Sequence, residues 1–570
     1  VNHAVGRRIG TAVVVLALLA GAAARLNVLR WNQPWVPHQA DEHILGAEAL
    51  ALWEGITPRE VGWPGSTTRL AFSGVAAVEW FAQDGRRAWN LRTQPDQALA
   101  LVSDWIGHRF VDTAPLYRTG RTLSLITGMM QLVVLVWALR QWVGPLGTGF
   151  GTLGVAIGPL AVAYSQYVLA DVTALLFATI LVGLAATPTP RRVLIMAVLA
   201  GLASASKYHF ALWGLSAVIG CLVTPTMPLS RRLLICVVAA GVGLWTLVTF
   251  VPWTWLNPLL AMKEFAGVVL VKIGEGPPFS HALLNLQILA QPLGALTLAG
   301  AFASVLSPRR GPGATPAIVL VLPCIIGLLV LEVSHTVFDR YGLVLLPGLA
   351  ILSGIGWERW LEHGSRIRRQ IGLVALIACL ALTVAGLINR QRDDADAPPD
   401  ALVAEWLQAH VPPGARIALF DEDNVPPQRT EAQLQECVAF ARTPAAYIRK
   451  WGIEGVDARQ TTNAQPMRSL ILTDEDFAAY QCARELGAPR GPGYYIVGYH
   501  REPRFDALLE SDVIADFISG QTGRSGGVDV LVLDTPIPGG ARPAAVIRAR
   551  RGQRFIYTRE AADTERPVLE

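Results

Sequence analysis

Apolar runs of membrane-spanning length dominate this sequence. A helix needs about 20 mostly apolar residues to cross the hydrocarbon core of a bilayer. Such runs lie near residues 9–29, 122–142, 147–168, 170–187, 192–208, 210–224, 233–251, 284–306, 316–334, 338–356 and 370–388. The chain has 570 residues, 52% of them hydrophobic and only 16% charged, against about 25% charged in soluble proteins. The expected fold is a polytopic α-helical membrane protein of about eleven spans. The net charge of +4 gives no basis for a nucleic-acid partner. The first run follows Arg7 and Arg8 and lacks an evident small-residue cleavage site, so it reads as a retained helix rather than a signal peptide.

The basic residues orient this array. Short cytoplasmic loops carry the excess of Lys and Arg in membrane proteins. Arg7–Arg8, Arg140, Arg191–Arg192, Arg231–Arg232, Arg309–Arg310 and the group Arg366, Arg368 and Arg369 all fall at span ends of one parity. One orientation satisfies them all: N-terminus cytoplasmic, C-terminus outside, in a multi-pass cell (inner) membrane protein. Lysine occurs only at 207, 263, 272 and 450, a bias that points to a GC-rich, bacterial-type genome.

Two polar regions then fall outside. One is a loop of about residues 30–121 within a membrane module of residues 1–389. The other is the tail, 390–570, expected to be a small extracytoplasmic α/β domain. There the helix-like "DALVAEWLQAH" precedes a Pro/Gly turn and the strand-like "RIALF", followed by "SLILT", "YYIVGYH", "VDVLVLD" and "RFIYT". Cys221, Cys236, Cys324 and Cys379 lie in apolar runs and read as small core residues. Cys437 and Cys482 lie in the tail, and whether they form a disulfide is open. No Walker loop, dinucleotide fingerprint, nucleophile elbow or zincin motif occurs in a fitting context.

Ionisable residues beside spanning helices are costly to keep and usually face a cavity or a partner. In this topology they gather at the outer face. Asp41 and Glu42 open the first outer loop. Arg118 and Arg121 begin the second span, and Asp171 follows "AYSQYVLA". Lys207 lies in "SASKYHF", and His335, Asp339 and Arg340 lie in "SHTVFDRYG". Cations there suit a lipid phosphate, and a carboxylate can serve as general base. Each also has a plainer reading. Asp41 and Asp171 are good helix N-caps, and Lys207 and Arg340 can snorkel to the interface. Trp31, Trp35, Trp53 and Trp63 suit interfacial anchoring. His38 and His43 flank the acid pair without a third spaced ligand, so no metal ligand is assigned. A divalent metal is left open as the one conceivable cofactor.

Taken in order, "QADEHILGAEALALWEG", "LADVTALLFA", "ASKYHFALW", "RYGLVLLPGLAIL" and "AEWLQAHVPPGARIAL" resemble the landmarks of the GT-C superfamily of membrane glycosyltransferases. The resemblance covers almost the whole chain. It is nearest the bacterial protein-mannosyltransferase and aminoarabinose-transferase-like branch (families 39 and 83). It implies an inverting enzyme that takes a mannose-like or aminoarabinose-like sugar from a polyprenyl-phosphate carrier at the outer face. The acceptor would be a hydroxyl on a lipid, a polysaccharide or a protein. Asp41 matches the catalytic acid of the first loop and would take the proton of the attacking hydroxyl. Glu42 would orient Asp41 or touch the acceptor, and Asp171 would bind donor sugar or acceptor. Lys207 and Arg340 would face the phosphate, Tyr208 and Tyr341 would line the pocket, and Arg118 and Arg121 would contact the headgroup. Where relatives carry a Tyr-Pro-Pro-Leu-like stretch, this chain has "GWPGSTTRL".

The competing reading is a polytopic transporter or lipid flippase of the cell envelope. It predicts paired repeats and charged, broken helices at mid-bilayer, and the sequence displays neither. A non-catalytic scaffold would leave the shared face of Asp41, Asp171, Lys207 and Arg340 unexplained.

Overall fold

The computed structural model describes residues 3–27, 65–94, 114–223, 227–251, 293–306, 318–332, 339–362, 365–395 and 399–411. It also describes the strand segments 416–419, 495–498, 530–533, 543–549 and 552–558, and isolated residues near 45–53, 96–106, 258–259 and 288–290. Contacts divide the chain into two units: 1–31, 60–72 and 120–391 form one, and 32–59, 73–119 and 392–570 the other.

Every apolar run of the sequence carries a helix among the described residues. In chain order these are α1 (His3–Leu26), α2 (Ser66–Asn90), α3 (Ala114–Trp142), α4 (Pro145–Ala156), α5 (Pro159–Tyr164), α6 (Asp171–Leu184) and α7 (Pro190–Ser206). Then come α8 (Gly214–Val223), α9 (Leu229–Phe250), α10 (Ala295–Leu306), α11 (Ile318–Glu332), α12 (Leu346–Leu361), α13 (Arg366–Ala395) and α14 (Pro399–His410). Among the described residues, four segments are by themselves long and apolar enough to cross a membrane: Val5–Leu26, Tyr117–Trp142, Leu229–Phe250 and Arg366–Arg392. The run 147–168, expected as one span, is broken between α4 and α5. Pro159 has no N–H to continue a ladder, and it starts a new helix after an extended Gly158.

Within the first unit the helices differ in what surrounds them. α4, α5 and α6 are buried on nearly every face, whereas α9 and α13 expose rows of apolar side chains such as Val237, Leu244, Trp245, Ile377 and Leu382. A helix apolar all round belongs in a core or in lipid, and this unit has both kinds. α4 is the central post, with α1 and α12 packed against it. Its Gly147, Gly149, Gly151 and Gly154 let neighbouring backbones approach closely. A Cβ on Gly147 would lie 2.7 Å from Gly354 O, and one on Gly149 3.0 Å from Gly10 O. Close small-residue packing of this kind replaces the hydrophobic drive that lipid removes.

The second unit contains a five-stranded sheet in the order β2–β1–β3–β5–β4, with β1 Arg416–Leu419, β2 Tyr495–Gly498, β3 Val530–Leu533, β4 Ala545–Ala549 and β5 Gly552–Thr558. β1 pairs in parallel with β2 and β3, while β5 pairs antiparallel with β3 and β4. α14 packs on β4 and β5. The strand-like runs read from the tail match β1, β2, β3 and β5; "SLILT" lies outside the described residues. The same unit holds an aromatic cluster. Trp53 stacks on Trp105 at 5.7 Å between ring centroids, and its Nε1 donates to Ser73 Oγ at 2.6 Å. Trp53 is therefore packed within the protein rather than a lone interfacial anchor.

Candidate functional site

In the first unit, four helix ends and two 3₁₀ turns bring ionisable residues together. Asp171 is the first residue of α6 and Lys207 directly follows the last residue of α7. Each charge sits where its helix dipole favours it, an anion at an N-terminus and a cation at a C-terminus. The two meet in a buried ion pair, Lys207 Nζ to Asp171 Oδ2 at 3.2 Å, with the Asp171 side chain fully inaccessible. Asp171 is thus not the helix cap: Ala170 holds that position, and no side chain caps the helix. Lys207 does not snorkel outward either, since it is 4% exposed. The other carboxylate oxygen of Asp171, Oδ1, is buried and accepts no hydrogen bond from the described residues. An unsatisfied buried carboxylate oxygen is costly unless something else completes it.

After Lys207 the chain leaves the helix in an extended conformation and forms the 3₁₀ segment Tyr208–Trp213. A second 3₁₀ segment, Asp339–Val344, lies beside it, and Trp213 Nε1 donates to Val344 O at 2.7 Å. The pair of turns presents Tyr208, His209, Arg340 and Tyr341. His209 meets the Tyr341 ring edge-on at 5.7 Å, and the Arg340 guanidinium lies 5.9 Å from the same ring centroid. Arg340 is buried, and both it and His209 act electrostatically on Asp171. Tyr208 and Tyr341 are half-buried beside this group.

A second network abuts the first. Asp339 accepts from Tyr164 Oη at 2.7 Å and from Arg390 Nη1 at 3.2 Å, and Arg390 Nη2 donates to Tyr167 Oη at 3.2 Å. Arg390 comes from the last turns of α13, and the neighbouring Gln391 donates to Ala24 O at 2.7 Å. Gln166 donates to Ala24 O and Arg25 O as well. These bonds satisfy carbonyls at the end of α1 that have no partner within the helix.

The start of α2 docks on the same end. Gly65, at φ +56°, takes a conformation that side-chain-bearing residues rarely adopt, and its N–H donates to Ser206 O at 3.0 Å. The Thr67 hydroxyl bonds the Ser206 hydroxyl, and Thr68 Oγ1 donates to Thr173 Oγ1 at 2.9 Å. Ser66, Thr67, Thr68 and Arg69 are all buried. The segment "GSTTR", which departs from the pattern of relatives, is therefore anchored one residue from Lys207 and two from Asp171.

Of the residues expected at the site, Asp171, Lys207, Tyr208, Arg340 and Tyr341 come together. Arg121 is buried on α3, next to Gly120, which packs against Val168. Arg118 is exposed and belongs to the second unit. Asp41, Glu42, His38, His43 and His335 lie outside the described residues, as do Cys437 and Cys482. Sequence reasoning missed Arg390, Tyr164, Tyr167 and His209 as members of the group. Among the described residues, no cluster of three His, Cys, Asp or Glu side chains is placed to hold a metal ion.

No family model matches the chain, and no curated protein matches it in sequence. Solved structures do show likeness. One is ArnT from Cupriavidus metallidurans bound to undecaprenyl phosphate, at 15% identity and TM-score 0.43, covering 89% of this chain and 79% of that one. Another is the oligosaccharyltransferase AglB from Archaeoglobus fulgidus in complex with an inhibitory peptide and a dolichol-phosphate, at 13% identity and TM-score 0.46, covering 92% and 69%. A third is the arabinofuranosyltransferase AftD from Mycobacteria, at 13% identity and TM-score 0.42, covering 97% of this chain but 41% of that one. At these identities they supply no residue-by-residue correspondence, and the functional reading rests on this chain's own side chains.

Proposed function

We propose that this protein is an inverting glycosyltransferase that moves a sugar from a polyprenyl-phosphate carrier to an acceptor hydroxyl. The observation that carries the reading is the composition of one end of the helical unit. Lys207, Arg340 and Arg390 stand there with Asp171 and Asp339, one positive charge in excess among the five, amid tyrosine hydroxyls. A lipid phosphate leaving group needs cations at the end of an apolar bundle, and a sugar needs fixed hydroxyl and carboxylate partners. Oδ1 of Asp171, buried and without a hydrogen bond among the described residues, is such a partner in this reading: it accepts from a sugar hydroxyl when the site opens, while Oδ2 stays bound to Lys207.

Asp41 is the general base in this reading. Its carboxylate takes the proton of the attacking hydroxyl as the bond from the anomeric carbon to the phosphate oxygen breaks, and inversion follows from attack opposite the leaving group. Glu42 orients Asp41 or touches the acceptor. Arg118 and Arg121 serve the headgroup, and Tyr208 and Tyr341 line the pocket. The membrane module is residues 1–389 with eleven spans, N-terminus cytoplasmic, and residues 390–570 form an extracytoplasmic α/β domain. A mannose-like or aminoarabinose-like sugar and a lipid, polysaccharide or protein acceptor fit the sequence landmarks. No step is routed through a metal.

The test pairs biology with chemistry. The envelope glycans and lipids of a deletion strain identify the missing sugar, and the purified protein is then assayed with that sugar on a polyprenyl phosphate. Asp41→Asn should insert and fold normally and lose transfer. Wild-type transfer by that variant would remove Asp41 as base, and an unchanged envelope in the deletion strain would count against the enzyme reading itself.

A further inference from the structure

The opposite end of the first unit holds an open cavity of about 340 Å³. Arg7, Gly10, Thr11 and Val14 of α1 line one side, and Arg140, Val143, Gly144, Pro145 and Thr148 line the other. Arg7 and Arg140 are exposed, and neither forms an ion pair or hydrogen bond among the described residues. The charges here are unequal in number. Among the described residues the carboxylate bonded at the rim is that of Glu358, which accepts the N–H of Gly144 through both oxygens at 2.9 Å. Two guanidiniums therefore face an open space while the acid is engaged elsewhere.

We propose that this cavity binds the phosphate headgroup of an anionic membrane lipid. Two observations select a lipid over a soluble anion. Arg7 lies in the first turn of the apolar segment Val5–Leu26, which places its guanidinium at headgroup depth when that segment crosses a bilayer. Val15, one helical turn from Thr11 beside the cavity, is an exposed apolar side chain, a surface against which an acyl chain can lie. Thr11 adds a hydroxyl at the cavity wall, while that of Thr148 donates to Gly144 O at 2.9 Å. Arginine pairs bind phosphate oxygens in a planar fork, and basic pockets between spanning helices are suited to anionic headgroups. The lipid would join α1 to the start of α4, the contact on which the central post depends. The proposal is independent of the glycosyltransferase reading, because it concerns the other end of the bundle.

The test uses the full-length protein in detergent and reads the thermal unfolding midpoint with added phosphatidylglycerol, phosphatidylcholine or inorganic phosphate. A ligand that binds only the folded state raises the midpoint. Phosphatidylglycerol should raise it, and the other two should not. The variant Arg7→Gln/Arg140→Gln should lose the shift, whereas the charge-matched Arg8→Gln/Arg191→Gln should keep it. If the first variant does not fold, Thr11→Trp fills the cavity from an exposed helix face without changing charge and should abolish the shift as well. A full phosphatidylglycerol shift in Arg7→Gln/Arg140→Gln or in Thr11→Trp would overturn the site. An equal shift from inorganic phosphate would overturn its assignment to a lipid.

Discussion

Where α1 begins, Arg7 and Arg140 face an open cavity and Glu358 satisfies a backbone N–H. Where α1 stops, Asp171 and Lys207 are sealed in an ion pair, and Asp339 is gripped by Tyr164 and Arg390. Both ends carry arginine, but among the described residues only the second carries acids, bases and phenols interlocked from helices distant in sequence. Exposed basic residues at one end follow from membrane topology. A buried charge cluster at the other end has no such general cause. Burying an ion pair rarely gains stability over apolar packing of the same volume, so its presence points to function.

The comparison can be broken by substitution. The largest effect is expected for Lys207→Ala. Removing one partner of a buried pair leaves an uncompensated charge, at a loss of about 3–5 kcal/mol, and sugar transfer should vanish. Asp171→Asn combined with Lys207→Gln should recover most of the stability, read as the unfolding midpoint, without recovering transfer. Next comes Asp339→Asn, which keeps the shape but weakens the charge-assisted bonds to Arg390 and Tyr164. Transfer should fall about tenfold, the equivalent of one such bond at roughly 1.4 kcal/mol, with a smaller change in unfolding midpoint. The smallest effect is expected at the other end. Glu358→Gln should lower stability by about 1 kcal/mol and leave transfer within about twofold, well below the factor of ten that 1.36 kcal/mol of barrier represents. A loss of transfer in Glu358→Gln as deep as in Asp339→Asn would erase the distinction between the ends.

Much of this contrast is legible in the sequence, because it depends on local pattern. Apolar runs announce helices, and Asp171, Lys207 and Arg340 stand out at run ends. What escapes is pairing across distance. Nothing local in "LADVTALL" says that Asp171 meets a lysine 36 residues on; its position at a helix start suggests a cap equally well. Arg390 is hidden differently. It sits in "INRQRDDAD", where a run of charges closing the last apolar segment looks like the start of a solvated tail, yet its guanidinium reaches Asp339 and Tyr167. Tyr164 is similarly concealed in the apolar "AVAYSQYV", with its bond to Asp339 spanning 175 residues. The break at Gly158–Pro159 was present in the letters, but the hydropathy of the run masked it.

The most direct test of the central claim is equilibrium binding of a short-chain polyprenyl phosphate to the full-length protein. The account predicts that Arg340→Ala and Arg390→Ala each weaken binding at least about tenfold, roughly the 1.4 kcal/mol that one charge-assisted phosphate contact supplies. With excess phosphatidylglycerol present in every sample to occupy the cavity at the other end, Arg7→Gln/Arg140→Gln should bind the polyprenyl phosphate as the wild type does. Wild-type binding by both cluster variants would contradict the assignment of this end as the phosphate site.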